Sequence, residues 1–334
     1  MSRLLVVAPS WVGDAVMMQP MLQLLRHERP ERAIDVLAPA WCAPVVGRMR
    51  EVAKIHTNPF AHGELALRRR WLLARELARV GYDQAIVLPN SAKSALLPWF
   101  TGIPRRTGFL GEQRYGLLND RPAFAPKSLP RLVDRYAGLA LGRAPGARET
   151  PAPCLSVDDE ARAASLERLR LDDSRPVFAR CPGADYGPAK RWPAEHFAAL
   201  ARLAMQEGFV VWLFGSAKDQ AVTRVIAQTA PGVIDLAGRT RLDEVVDLLS
   251  LARMVVSNDS GLMHLAAAVD APLIALYGSS SPAYTPPLSE RARILHLELP
   301  CSPCFERECP LEHMRCLREI SPESVWREVA SHAQ

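Results

Sequence analysis

The chain has 334 residues, 49% hydrophobic and 23% charged, a globular balance that excludes a disordered or low-complexity protein. Its length exceeds the roughly 250 residues at which single cores split, so two domains are expected, and no apolar stretch reaches the roughly 18 residues of a membrane-spanning helix. The net charge of +5 is uneven: residues 1–150 carry 22 Lys and Arg against 12 Asp and Glu, the remainder 19 against 24, so the first half suits either an anionic partner or a solubilising Arg-rich face.

Met1-Ser2-Arg3 runs straight into Leu4-Leu5-Val6-Val7, which reads as a first strand over 4–8 rather than a secretory leader, so a cytoplasmic protein is expected. The pattern then predicts a helix over 15–27, a strand at 34–37, an amphipathic helix over 64–80 and a strand at 84–88. This βαβ rhythm implies a parallel sheet with right-handed crossovers. Residues 102–130, rich in Gly, Pro and Arg, have no clear period and are expected as long loops. A Pro-punctuated stretch over 144–153 approaches a linker, and 158–169 is predicted as a helix with an acidic first turn. Strands at 177–180, 210–214, 233–236, 254–257 and 273–277 alternate with helical patterns, giving a second doubly wound α/β sheet. The final helix, 322–332, suits packing against either domain. Such sheets bind ligands at the carboxyl ends of their strands, so residues that follow strands are the candidates for function.

Ser10-Trp11-Val12-Gly13-Asp14 follows the first strand. Gly13 permits a tight turn, and Asp14 is either the amino-terminal cap of the helix or a carboxylate placed to take a proton from a hydroxyl. Asn258-Asp259-Ser260-Gly261-Leu262-Met263-His264 lies at another strand-to-helix turn, where backbone N–H groups and the Ser260 hydroxyl suit a diphosphate. His264, one turn beyond Ser260, is either a second ligand group or a structural histidine. The loop from Cys181 to Pro193 brings Lys190 and Arg191, which could neutralise a leaving diphosphate or be a solvated basic loop. Gly215-Ser216-Ala217-Lys218-Asp219 repeats the strand-turn-helix placement and offers Asp219 to a ribose.

A Walker loop, a GxGxxG after the first strand and the Asp-x-Asp metal pair of many sugar transferases are all missing from the sequence. Of the seven cysteines, Cys42, Cys154 and Cys181 are scattered singly, which fits a reducing compartment rather than a disulfide scaffold. Cys301, Cys304, Cys309 and Cys316 begin as CxxC with His313 nearby, a start suited to zinc, but the later spacings close no zinc motif and free cysteine is commonly a small buried residue.

Together the SWVGDAVM opening, the GPAKRWP loop, the SNDSGLMH turn and the CSPCFERECPLEHMRC tail resemble the heptosyltransferases of glycosyltransferase family 9 along nearly the whole chain. The resemblance implies a GT-B type α/β fold, two Rossmann-like doubly wound domains facing a central cleft. Residues 1–160 would bind the acceptor, 170–320 would bind ADP-heptose, and 321–334 would form a carboxyl-terminal helix. It further implies inverting, metal-independent and cofactor-free transfer of L-glycero-D-manno-heptose from ADP-heptose to the first heptose of the lipopolysaccharide inner core. Asp14 would be the general base and Lys190 a phosphate contact. Gly215, Ser216 and Asp219 would serve the nucleotide, with Asp219 at the ribose and Thr240 at the adenine. Asp259, Ser260, Gly261 and His264 would line the diphosphate and sugar.

The acceptor would be a phosphorylated, lipid-linked inner core met at the cytoplasmic face of the inner membrane. Gly13 would lie beside it, with Arg69, Arg105, Arg106 and Arg114, together with Arg68, Arg70 and Lys127, as candidates for phosphate or membrane-surface contact. No recognition helix or stacking-aromatic pattern points to nucleic acid. Two further readings stay open: another member of the family with a different acceptor, such as a Kdo-terminated one, and a non-catalytic nucleotide-sugar-binding protein.

Overall fold

The computed structural model describes residues 2–61 and 63–332, so residues 333 and 334, counted with the final helix above, lie outside the described residues. The chain forms two compact units, Met1–Pro153 and Cys154–Gln334.

The first unit runs β1 (Arg3–Val7), α1 (Val12–Glu28), β2 (Ala33–Pro39), α2 (Ala43–Val46), β3 (Val52–Asn58), α3 (Leu67–Ala78), β4 (Gln84–Val87), α4 (Ala92–Phe100), β5 (Arg105–Thr107) and α5 (Leu132–Leu141). All five strands are parallel, in the order β3-β2-β1-β4-β5, with Leu4 opposite both Ile34 and Gln84. Leu5 and Val7 pack against Ala74 and Leu77 of α3 and Ala95 and Leu97 of α4. By the alternation of a strand, the equally buried Leu4 and Val6 face the opposite layer, where α1 packs on α5. Burial on both faces is why β1 reads as an unbroken apolar run, each side chain contributing about 2 kcal/mol of transfer free energy. The strand order reverses between β1 and β4, which places the ligand-binding crevice of this sheet at their carboxyl ends.

The second unit runs α6 (Asp159–Leu169), β6 (Val177–Cys181), α7 (Ala194–Gln206), β7 (Val210–Leu213), α8 (Gln220–Thr229), β8 (Ile234–Asp235), α9 (Leu242–Leu249), β9 (Ala252–Asn258), α10 (Gly261–Ala268), β10 (Leu273–Tyr277), β11 (Ala292–His296), α11 (Arg315–Arg318) and α12 (Pro322–His332). Its six parallel strands are ordered β11-β10-β9-β6-β7-β8, reversing between β6 and β9. Asp158 caps α6, accepting from the Ala161 N–H at 2.9 Å. The final helix packs on this unit: Val325 and Val329 of α12 join the core built on Phe178, Trp192 and Phe197, and α12 lies on α7.

Three strands depart from the sequence reading. β3, β5 and β11 are absent from it, and each lies at a sheet edge. β3 (VAKIHTN) and β11 (ARILH) mix polar and partly exposed positions, and β5 is three residues long, so none forms the apolar run that marks a central strand. The 102–130 segment is otherwise irregular, with a single 3₁₀ turn at Pro126–Ser128. No helix of the described residues is long and apolar enough to cross a membrane.

Candidate active site

In the first unit the loop after β1 is the candidate. Trp11, in extended conformation, occupies the cap position of α1, so Asp14 is the third helical residue and not the cap; Gly13 precedes it and is buried. A carboxylate in the first turn is favoured by the helix dipole. The loop is pinned from the β2 side, where Trp41 Nε1 donates to Ser10 O at 2.8 Å and the Cys42 thiol to the same oxygen at 3.6 Å. Burial, with Asp14's negative charge adding to it, pushes the Cys42 thiol up to about 12, so this cysteine packs and does not react. Trp11 and Trp41 are 47% and 49% exposed on either side of Ser10. The role of 41–42 has no local signal in the sequence, because it depends on a contact 31 residues away.

In the second unit, the loops after β6, β9 and β10 meet at the strand-order reversal. Lys190, at the end of the 3₁₀ turn Pro188–Lys190, places Nζ 2.5 Å from Asp259 Oδ2, and the Ser280 hydroxyl donates to the same oxygen. Asn258 holds the 182–193 loop at two points, donating to Pro182 O at 2.7 Å and accepting from the Trp192 N–H at 3.0 Å. The cysteine-rich tail braces that loop from outside. The Ala189 N–H donates to Arg307 O at 3.0 Å, and a Cβ on Gly187 would stand 2.4 Å from that carbonyl, which explains the glycine. Tyr186 donates to Phe305 O at 2.6 Å, and its ring lies between Lys190 Nζ and the Arg307 guanidinium at 5.2 and 5.4 Å.

Ser260 is the cap residue of α10, but its hydroxyl lies 3.3 Å from that of Ser257 and makes no cap bond to the helix. The first turn, beginning at Gly261, is therefore not closed by its own side chain, which leaves N–H donors suited to an anion beside Lys190. His264 is 4% exposed; burial pushes its pKa down to about 4, opposed by Asp259 and assisted by Lys190. It is a neutral imidazole near pH 7, with one donor and one acceptor nitrogen.

The loops after β7 and β8 are joined through Gly215, whose carbonyl accepts from the Gly238 N–H at 2.9 Å. Asp219, expected at the ribose, is held by its own turn. Its Oδ2 accepts from both the N–H and the hydroxyl of Ser216, at 2.9 and 2.8 Å, in a reciprocal capping box. Its Oδ1 is buried without a partner against Gly183. The carboxylate is thus enclosed as a brace between loops, while Ser216 stays exposed. Thr240 Oγ1, after β8, is buried and unpartnered.

The four arginines expected at the acceptor separate by environment. Arg69 and Arg105 are more than half exposed and paired with Glu64 and Asp120 at 2.6 and 2.7 Å. Arg106 donates to Ile103 O and Leu117 O at 2.6 and 2.7 Å. Arg114 departs from the expectation of a surface contact. It is 1% exposed, and its guanidinium donates to Phe109 O twice and to Pro89 O, Ser91 O and Ser94 Oγ. Burial pushes its pKa down to about 10. It ties two loops together and offers nothing to a phosphate. Arg70 is likewise buried, donating to Glu64 O and Leu65 O.

The four tail cysteines are partly buried free thiols, and among the described residues no group of three or more His, Cys, Asp or Glu is set to hold a metal ion. Burial raises the Cys316 thiol, with Cys309, Cys304 and Cys301 adding to it.

Comparison with known proteins identifies the family and the fold. The family model "Glycosyltransferase family 9 (heptosyltransferase)" matches residues 70–315. Lipopolysaccharide heptosyltransferase 2 of Escherichia coli K12 is 43% identical over 338 residues, covering 98% of this chain and 97% of its own. Lipooligosaccharide heptosyltransferase 2 of Haemophilus influenzae is 47% identical over 308 residues, covering 88% of each. The solved structure of E. coli ADP-heptose LPS heptosyltransferase II superposes with a TM-score of 0.87 at 40% identity, covering 100% of this chain and 98% of that one. With two parallel α/β units of GT-B type and this extent of likeness, the chain belongs to glycosyltransferase family 9, the heptosyltransferases.

Proposed function

We propose that this heptosyltransferase moves L-glycero-D-manno-heptose from ADP-heptose onto the first heptose of the lipopolysaccharide inner core, with inversion and without a metal. The names of its relatives support heptosyl transfer in lipopolysaccharide or lipooligosaccharide synthesis, and that of the solved E. coli enzyme supports the ADP-heptose donor. The observation that carries the chemistry is the Lys190–Asp259–Ser280 group beside the uncapped start of α10 and neutral His264. A diphosphate seated there meets a cation, backbone N–H groups and hydroxyls. Lysine has three donors, so Lys190 keeps Asp259 while donating to a phosphate oxygen.

Asp14 takes the proton of the acceptor hydroxyl as that oxygen attacks the anomeric carbon. The bond to ADP breaks on the opposite face, and the electron pair leaves with the diphosphate. Lys190 and the α10 amino terminus stabilise this growing charge more than the ground state, an effect worth roughly 3 kcal/mol per well-placed donor. Gly215, Ser216 and Thr240 line the nucleotide, and Ser260, Gly261 and His264 the diphosphate and sugar. Gly13, the exposed Arg69 and Arg105 and the half-buried Arg106 serve a phosphorylated, lipid-linked acceptor. Exposed ion pairs such as Arg69–Glu64 exchange partners at little cost. Such an acceptor places the enzyme transiently at the cytoplasmic face of the inner membrane.

The test is transfer from ADP-heptose to heptosyl-Kdo-lipid A in the presence of EDTA, with the anomeric configuration of the product read by NMR. The expected result is an inverted product with wild type and loss of turnover, with ADP binding kept, in Asp14→Asn. Activity on Kdo-lipid A alone would reassign the acceptor, and retention of configuration would remove the single displacement.

A further inference from the structure

We infer that the outward face of α3 is a docking surface for an anionic phospholipid bilayer. α3 buries one side, through Arg70, Ala74 and Leu77. At 100° per residue an arc of about 140° on the outward side carries Leu67, Ala78, Trp71, Arg75, Arg68, Arg79 and Leu72 in angular order, with Glu76 and the Glu64-paired Arg69 at its far edge. Trp71 is 45% exposed, with Leu67 and Leu72 at 50% and 46%. Leu65 on the entry loop and Trp99 on the packed neighbour α4 are similarly exposed. Large apolar side chains clustered on a surface cost free energy in water and mark a site that is covered in use.

The charge on the same face selects the cover. Arg68, Arg75 and Arg79 are exposed, no ion pair among the described residues holds any of them, and Arg75 stacks over Trp71 at 5.0 Å. Indole and leucine side chains between unpaired arginines match a headgroup layer, with the rings at the glycerol level and the guanidinium groups on phosphates. A protein partner would have to bring a dense acidic rim, whereas an anionic bilayer presents one everywhere. The unit that carries this face is also the basic part of the chain. The inference deepens the reading of a lipid-linked acceptor, but vesicle binding does not depend on turnover.

The experiment is flotation of the full chain with vesicles of phosphatidylglycerol and phosphatidylethanolamine, against vesicles of phosphatidylcholine alone. Wild type is expected to float with the anionic vesicles and to be released by high salt. Arg75→Ser with Arg79→Ser is expected to weaken binding at least tenfold, since each basic residue near such a surface is worth on the order of fivefold. Trp71→Gln with Leu72→Gln is expected to weaken it as much. Both variants should keep wild-type turnover on a deacylated, water-soluble acceptor and lose it on acceptor embedded in vesicles. Equal binding to both vesicle types, or variants that float like wild type, would overturn the inference. So would a concentration-dependent dimer that Trp71→Gln dissolves, which gives the face to a second copy of the chain. Floating without turnover on either acceptor would instead overturn the activity and leave the docking face standing.

Discussion

Lys190 and Asp259, 69 residues apart in sequence, form an ion pair at 2.5 Å in which both side chains are largely withdrawn from water. One lies on the loop after β6 and the other on the loop after β9, so the pair locks together the two loops at the strand-order reversal. Removing one partner leaves the other buried and uncompensated, which costs more than the pair itself contributes. Lys190→Ala is expected to lose at least a hundredfold in kcat/KM and about 2 kcal/mol in stability. Lys190→Ala with Asp259→Ala should recover part of that stability and none of the turnover. Urea unfolding of the four species in a double-mutant cycle measures this; strictly additive losses would show that the two residues do not act as a pair.

Gly183 and Asp219 share a space that admits only one side chain. A Cβ on Gly183 would lie 2.6 Å from both carboxylate oxygens of Asp219. Gly183→Ala is therefore expected to push the 215–219 turn outward, costing about 1–3 kcal/mol and weakening ADP binding. Asp219→Ala on its own loses the Ser216 capping box, at about 1 kcal/mol. In the double variant the alanine fits, so its loss in stability and in ADP affinity by calorimetry should be smaller than the sum.

Arg114 and Arg105, both expected at the acceptor, should behave oppositely. Arg114→Lys removes a fork that spans Phe109 O and Pro89 O and buries an ammonium in its place, with an expected loss of about 2–4 kcal/mol. Arg105→Ala breaks an exposed pair with Asp120 and should stay within about 1 kcal/mol in the same unfolding experiment. In its proposed role at the acceptor, Arg105→Ala is expected to raise KM for the acceptor with kcat unchanged.

These contrasts mark how far the sequence was legible. The strands buried on both faces, such as Val177–Cys181 and Leu273–Tyr277, announce themselves as apolar runs, and so do the turns after them that carry Asp14, Lys190 and Asp259. The edge strands β3, β5 and β11 do not, because they are short or mix polar and partly exposed positions. The pairings were not legible at all. An arginine in a Gly- and Pro-rich segment reads as surface, yet Arg114 is enclosed by carbonyls that only the folded loops bring together. Asp219 reads as a ligand group at a strand-to-helix turn, and its first duty is to that turn. Trp41 under Ser10 and Arg307 against Gly187 are contacts between distant segments and leave no local mark.

His264 gives a prediction in pH. Its folded-state pKa, about 4, lies below the unfolded value near 6.5, because burial disfavours the imidazolium. Between these values the unfolded chain binds a proton that the folded chain refuses. The penalty is absent above about pH 6.5, grows as pH falls through the window and levels off below about pH 4. At about pH 5 the expected loss is about 2 kcal/mol relative to about pH 7.5. His264→Gln keeps an uncharged donor and acceptor and has no proton to bind, so it should remove that part of the slope. Urea midpoints for wild type and His264→Gln at the two pH values decide it. Parallel slopes would mean that the imidazole is free to charge in the fold. In that case His264 would meet the diphosphate as a cation and not as the neutral hydrogen-bonding group that its burial beside Lys190 implies.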